Sequence, residues 1–121
     1  MSITLYGIPN CDTVKKARSW LTDNGIAHSF HDFKKAGLSQ SIVDSWLQQL
    51  AWDVLVNRKG TTWRALDDSA KVAIVDATSA TALMLASPSV IKRPVLVTSD
   101  SAHVGFSDAL YQQIFHAHFP R

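Results

Sequence analysis

The chain contains a single cysteine, Cys11, in 121 residues, so no intramolecular disulfide can form. Small secreted domains usually carry several cysteines, and a lone free thiol suits a reducing compartment. No apolar run approaches membrane-spanning length. The opening Met1-Ser2-Ile3-Thr4-Leu5-Tyr6-Gly7 lacks the basic stretch and apolar core of a signal peptide. A cytoplasmic protein without membrane association is therefore expected. The chain also lacks a long basic run, and its net charge is only +2. Its cations fall in short groups, such as Lys34-Lys35 and Lys92-Arg93, which argues against a nucleic-acid partner. No phosphate-binding loop, dinucleotide fingerprint or G-x-S-x-G elbow is present.

Five histidines do not add up to a metal site. His28 and His31 are three apart in an expected strand and point to opposite faces. His116 and His118 are two apart in an expected helix and share no face. No metal and no bound cofactor are expected. The four tryptophans read as packing residues, and Arg64 and Lys92 read as solvated surface.

What remains is a folded α/β chain. Apolar residues make up 46% and charged residues 18%, enough for a core of useful size at this length. One domain over 1–121 is expected, and a monomer with it. Ile3 to Tyr6 reads as a strand ended by Gly7 and Pro9. Val14, Ala17 and Leu21 recur at helical spacing, with Asn24-Gly25 as the stop. A second strand lies within Ile26–Phe33, which completes a parallel βαβ unit. Gly37 and Ser39 open a helix with Ile42, Val43, Trp46, Leu47 and Leu50 on its apolar face. A broken helical block follows, with a loop at Asn57-Arg58-Lys59-Gly60 and a helix from Ala80 to Ala86. Val95–Thr98 and Ala102–Phe106 read as a hairpin around Ser99-Asp100-Ser101. Ser107 can cap a last helix whose Leu110, Tyr111, Ile114 and Phe115 face inward. This order is a thioredoxin-like layout: a four-stranded mixed sheet flanked by helices, with an all-helical insertion at about 38–87.

Cys11 falls at the junction of the first strand and the first helix. The first turn of a helix leaves N–H groups unpaired, and their field favours thiolate over thiol. Helix starts and nearby cations lower a cysteine pKa from about 8.5 to roughly 3.5–7.5. Lys15 and Arg18, four and seven residues on, project toward the Cys11 side of a helix, while the Asp12 carboxylate opposes a second anion. The alternative is a buried structural cysteine. The segment Cys11-Asp12-Thr13-Val14 offers no second cysteine to resolve a mixed disulfide. A turnover thiol must then come from outside, most simply glutathione.

The stretch Leu5-Tyr6-Gly7-Ile8-Pro9-Asn10-Cys11-Asp12-Thr13-Val14-Lys15-Lys16-Ala17-Arg18 resembles the opening of the arsenate reductase (ArsC)/Spx family, closest to its YffB-like branch. Leu55-Val56-Asn57-Arg58-Lys59-Gly60 and Ser87-Pro88-Ser89-Val90-Ile91-Lys92-Arg93-Pro94-Val95-Leu96-Val97 are similar to its middle and late signatures. The resemblance implies a thioredoxin-like fold and a nucleophilic Cys11. It implies a cis peptide before Pro94, facing the cysteine, and an anion held near the thiolate by Arg58 and Arg93. Asn10, Thr13 and Pro94 are the expected substrate-binding neighbours, and Lys15 an expected thiolate partner. Two features depart from the arsenate reductases. They carry a further arginine after the final hairpin turn, where this chain reads Ala102-His103-Val104-Gly105-Phe106, and a histidine shortly before the cysteine, where it has Gly7. Val14 also replaces the second cysteine typical of Spx-type regulators. The implied activity is a glutathione-dependent thiol reductase acting on a small-molecule or protein disulfide. The alternatives are a non-catalytic module that binds a protein partner, and an arsenate reductase, which the missing arginine disfavours.

Overall fold

The computed structural model describes residues 2–116. Strand β1 (Thr4–Gly7) leads into helix α1 (Asp12–Asp23), which returns to strand β2 (Ser29–Asp32). Asn24 caps α1, and Gly25, at φ +69°, turns the chain out of it as the Asn-Gly pair predicts. β1 and β2 run parallel, with Thr4 opposite Ser29 and Gly7 opposite Asp32.

Helices then follow without a strand: α2 (Gln40–Leu47), α3 (Trp52–Leu55), α4 (Thr61–Arg64), α5 (Asp68–Val72), α6 (Ala77–Ala86) and a 3₁₀ turn at Pro88–Val90. Ser39 caps α2 by accepting from the Ile42 N–H. Asp76 and Ser79 close a reciprocal capping box on α6. The last helix of this block therefore begins at Ala77, three residues before the Ala80 expected from apolar spacing, because capping and not periodicity sets its start.

Strands β3 (Val95–Val97) and β4 (Ala102–Val104) form the expected hairpin, and helix α7 (Asp108–Ile114) is capped by Ser107. β4 is shorter than its sequence reads. Gly105 takes φ +79° and its N–H donates to the Pro94 carbonyl at 2.9 Å, which ends the strand before Phe106. The sheet order is β2-β1-β3-β4, with β3 antiparallel to both its neighbours.

The alternation of the strands divides the core. Tyr6, Val95, Val97 and Val104 pack toward the helical block, around Phe33, Val43, Trp46, Leu55 and Met84. Leu5 and Leu96 point the other way, onto Ala17, Trp20 and Leu21 of α1, Tyr111 of α7 and its C-cap residue Phe115. Trp20 ties those two helices together through an Nε1 hydrogen bond to Asp108. His28 precedes β2 and bonds the Ile26 carbonyl, whereas His31 bonds the Gly37 carbonyl. His118 lies outside the described residues. No group of three or more metal-binding side chains occurs among the described residues, and no helix among them is long and apolar enough to cross a membrane.

The end of β1 lies hard against α1. A Cβ built on Gly7 would approach Val14 Cγ2 to 2.8 Å, and Val14 is fully buried. Gly7→Ala is expected to cost about 1–3 kcal/mol by overpacking, read as a lower urea midpoint with an unchanged slope. Pairing it with Val14→Ala should recover part of that loss if the contact is the cause.

Candidate functional site

The chain turns from β1 into α1 through Ile8-Pro9-Asn10, and the Cys11 N–H donates to the Ile8 carbonyl at 3.3 Å. Cys11 is the N-cap residue of α1. Its backbone is extended (φ −91°, ψ 126°), while its carbonyl already accepts the first helical bond, from Lys15 N–H at 2.9 Å. The thiol is partly buried. Burial pushes its pKa up, but the Val14 N–H, the Arg93 guanidinium and the Thr13 N–H outweigh that effect and leave it below the ordinary value. Sγ makes no capping hydrogen bond of full geometry; the N–H groups of the first turn nonetheless face it and favour its anion.

Arg93 reaches the thiol from the other side of the sheet's end. Its peptide bond to Pro94 is cis. Nη1 donates to the Ser89 carbonyl at 2.8 Å, which holds the side chain back along its own segment. Nε is sealed from water with no hydrogen-bond partner. A buried donor left so costs about 1–3 kcal/mol, and an anion beside the guanidinium would offset that cost.

Cys11, Thr13 and Arg93 open into a cleft of about 540 Å³, completed by Asn57, Lys92, Val104, Gly105, Phe106, Ser107 and Leu110. That is within the size range of small-ligand sites. No carboxylate lines it among the described residues. Its cations are Lys92 and Arg93, and its apolar wall is Val104, Phe106 and Leu110.

The other expected site residues are placed elsewhere. Lys15 is exposed and lines a separate depression with Trp20, Phe106 and Asp108. The i, i+4 rule that aimed it at Cys11 requires helical backbone at both residues, and Cys11 is extended. Arg18 lies over the Phe30 ring at 4.2 Å. Arg58 stacks over Trp52 at 5.2 Å and lines the hollow next to the cleft. Its neighbour Asn57 takes the place in the cleft itself. Asn10 is exposed and outside the lining, and Pro94 is buried behind Arg93, where its carbonyl accepts from Gly105 N–H. Asp12 is exposed.

Lys92 is exposed, as its sequence context suggests, and also lines the cleft. Its N–H donates to the Leu55 carbonyl at 2.7 Å, Asn57 N–H donates to Val90 at 2.8 Å, and Val56 bridges Ile91. These bonds clip the helical block to the segment before Arg93 and bring Asn57 and Lys92 to the thiol. Adjacency to Arg93 was the available signal for Lys92; nothing local marked Asn57, Ser107 or Leu110.

The sequence model of the ArsC family matches residues 6–114. The chain belongs to the ArsC family. It is 44% identical to an uncharacterised protein of Haemophilus influenzae, over 93% of this chain and 98% of that one. A solved structure named YFFB protein is 44% identical and superposes with a TM-score of 0.87, covering 93% of this chain and 97% of that one. An arsenate reductase (ArsC) related protein of Brucella melitensis is 51% identical with a TM-score of 0.75, covering 95% of each chain. The global transcriptional regulator Spx of Streptococcus agalactiae is 26% identical over 88% of this chain and 77% of its own length. The fold of this ArsC family member is thus the thioredoxin-like one.

The alkylation rate of Cys11 against pH should give an apparent pKa below the free value of about 8.5. Arg93→Gln should move it back up, and Lys15→Gln should leave it in place. Because the folded-state pKa is depressed, the thiolate's contribution to stability is complete above the unfolded value and lost as pH falls through the folded one. Wild type should therefore gain stability over Cys11→Ser as pH rises, as denaturant titrations at several pH values would show.

Proposed function

We propose that this protein is a thiol-disulfide reductase that uses Cys11 as nucleophile and an external thiol, such as glutathione, as reductant. The observation that carries the reading is the placement of Cys11 between the first turn of α1 and the Arg93 guanidinium, which lowers its pKa. The thiolate is the reactive form in disulfide exchange, and a lowered pKa in an accessible cleft raises its share.

In the first step Cys11 Sγ attacks one sulfur of the substrate disulfide. A new S–S bond joins Cys11 to that half, and the electron pair of the broken bond leaves with the other half as a thiolate. Without a second cysteine in the chain, an external thiolate attacks the mixed disulfide. When it attacks the substrate sulfur, Cys11 is released as thiolate; when it attacks Sγ, the substrate leaves reduced and a second thiol completes the cycle. The first route consumes one external thiol and yields its mixed disulfide with the substrate half; the second consumes two external thiols and yields their disulfide, with both substrate halves reduced. Arg93 favours the Cys11 anion before the attack and as the leaving group afterwards. Lys92 and Arg93 attract an anionic group on the incoming thiol.

Arsenate reduction fits less well. Where the resemblance calls for a further arginine, Val104 and Phe106 form an apolar wall, and His103 is turned to Ser101 at 3.0 Å. A second reading, a regulatory module that docks a protein partner, draws support from the kinship with Spx. In it Cys11 is a redox switch without turnover.

Cys11→Ser should abolish disulfide reduction while the thermal unfolding curve stays cooperative. Oxidised glutathione should form a mixed disulfide with native protein faster than with the denatured chain, followed by mass spectrometry. Full activity in the serine variant, or equal rates in the two states, would sink the reductase reading and leave the docking module.

A further inference from the structure

The cleft at Cys11 continues past Lys92. Asn57 and Lys92 line it and also line a second depression of about 320 Å³, bounded by Asp53, Val54, Val56, Arg58 and Lys59. The two hollows adjoin because the Val56–Ile91 bridge and its flanking hydrogen bonds hold their segments edge to edge. The result is one groove from the thiol, across the Asn57–Lys92 saddle, to the Arg58-Lys59 turn.

Its charge is one-sided. Arg93, Lys92, Arg58 and Lys59 face a single carboxylate, Asp53. Lys59 and Lys92 are exposed, and no carboxylate among the described residues forms an ion pair with them. Arg58 is steadied by the Trp52 ring beneath it, which leaves its fork free to bind a carboxylate. Val54, on the rim, is 42% exposed. One anion at the thiolate would fill only the first hollow. An extended chain, with side chains reaching down on either side of the saddle, would fill both.

We propose that this groove selects an acidic peptide segment flanking the oxidised cysteine of a protein substrate. The inference rests on the reductase reading and adds the substrate class. The substrate's disulfide sulfur lies at Cys11, its adjoining apolar side chains meet Val104, Phe106 and Leu110, and its carboxylates meet Lys92, Arg58 and Lys59. Such charges act mainly on the association rate and are screened by salt.

Short peptides carrying one cysteine as a mixed disulfide with thionitrobenzoate provide the test. One has a run of Asp on the N-terminal side of the cysteine, one on the C-terminal side, and one carries Asn throughout. Reduced protein is mixed with each, and the released thionitrobenzoate is followed by absorbance in a single turnover. Cys11 Sγ bonds to the peptide sulfur, the peptide–thionitrobenzoate S–S bond breaks, and its electron pair leaves with the coloured thiolate, the better leaving group.

With one of the two acidic peptides, the rate should exceed that of the Asn peptide about fivefold to tenfold at low salt, and the ratio should shrink at high salt. In an Arg58→Gln/Lys59→Gln variant the ratio should fall toward unity. Equal rates for acidic and Asn peptides in the wild type would overturn the proposal, as would a preference that persists in the variant. The mixed disulfide of glutathione with thionitrobenzoate is the remaining arm. If it shows the same gain, with the same dependence on Arg58 and Lys59, the groove serves a small acidic thiol and the peptide assignment fails. If every compound reacts no faster than with a free cysteine peptide, the reductase reading itself fails and this inference with it.

Discussion

Thr4 faces Val97, Leu5 faces Leu96 and Tyr6 faces Val95 across the β1–β3 ladder, and the site depends on this antiparallel register. Because the strands run in opposite senses, the end of β1 and the beginning of β3 meet at one end of the sheet. The chain leaving β1 becomes the Cys11 turn, and the chain entering β3 arrives through Arg93-Pro94. A slip of one residue would exchange the two faces of β3 and send Val95 and Leu96 into the wrong core halves. The hydrophobic alternation that builds the two cores therefore also holds the thiol and the guanidinium together.

Electrostatics at that end of the sheet is a contest decided by geometry. Removing Cys11 from water opposes its ionisation, and the first-turn N–H groups and Arg93 reverse the outcome. The cation does not come from α1 itself, although α1 carries Lys15, Lys16 and Arg18. An N-cap residue has non-helical backbone, so its side chain is not on any helical stripe. Neighbours in sequence are thereby disconnected from it, and a distant strand entry supplies the charge instead. Arg93 in turn has Nε sealed from water without a partner. The guanidinium charge offsets part of the cost of withdrawing the Cys11 thiolate from water.

Much of this was legible in the residues. Gly7 and Pro9 mark the end of β1, Asn24-Gly25 the end of α1, and Ser39 and Ser107 their helix caps, since each signal acts through local backbone chemistry. The parallel βαβ unit and the closing hairpin follow from connection length. Positions fixed by long-range contacts were harder to read. Phe106 belongs to the cleft because the Gly105–Pro94 bond stops β4 early. Asn57 and not Arg58 lines the cleft because one backbone bridge, Val56–Ile91, sets which residue of the loop points inward. Neither the bond nor the bridge has a local sequence signature.

The same bridge decides what the insertion contributes. A helical block packed only through side chains could shift against the sheet. The Leu55–Lys92 and Asn57–Val90 hydrogen bonds oppose that, because they join the backbones of the two segments directly. The block is thus a fixed wall beside the thiol. Its exposed turn puts Arg58 and Lys59 at a set distance from Cys11, while the hairpin side supplies Val104 and Phe106. The thiol thus lies in a groove with cations along one flank and apolar side chains along the other. Cys11 and Arg93 meet at the floor of that groove, and its walls come from the elements that the β3 entry ties together.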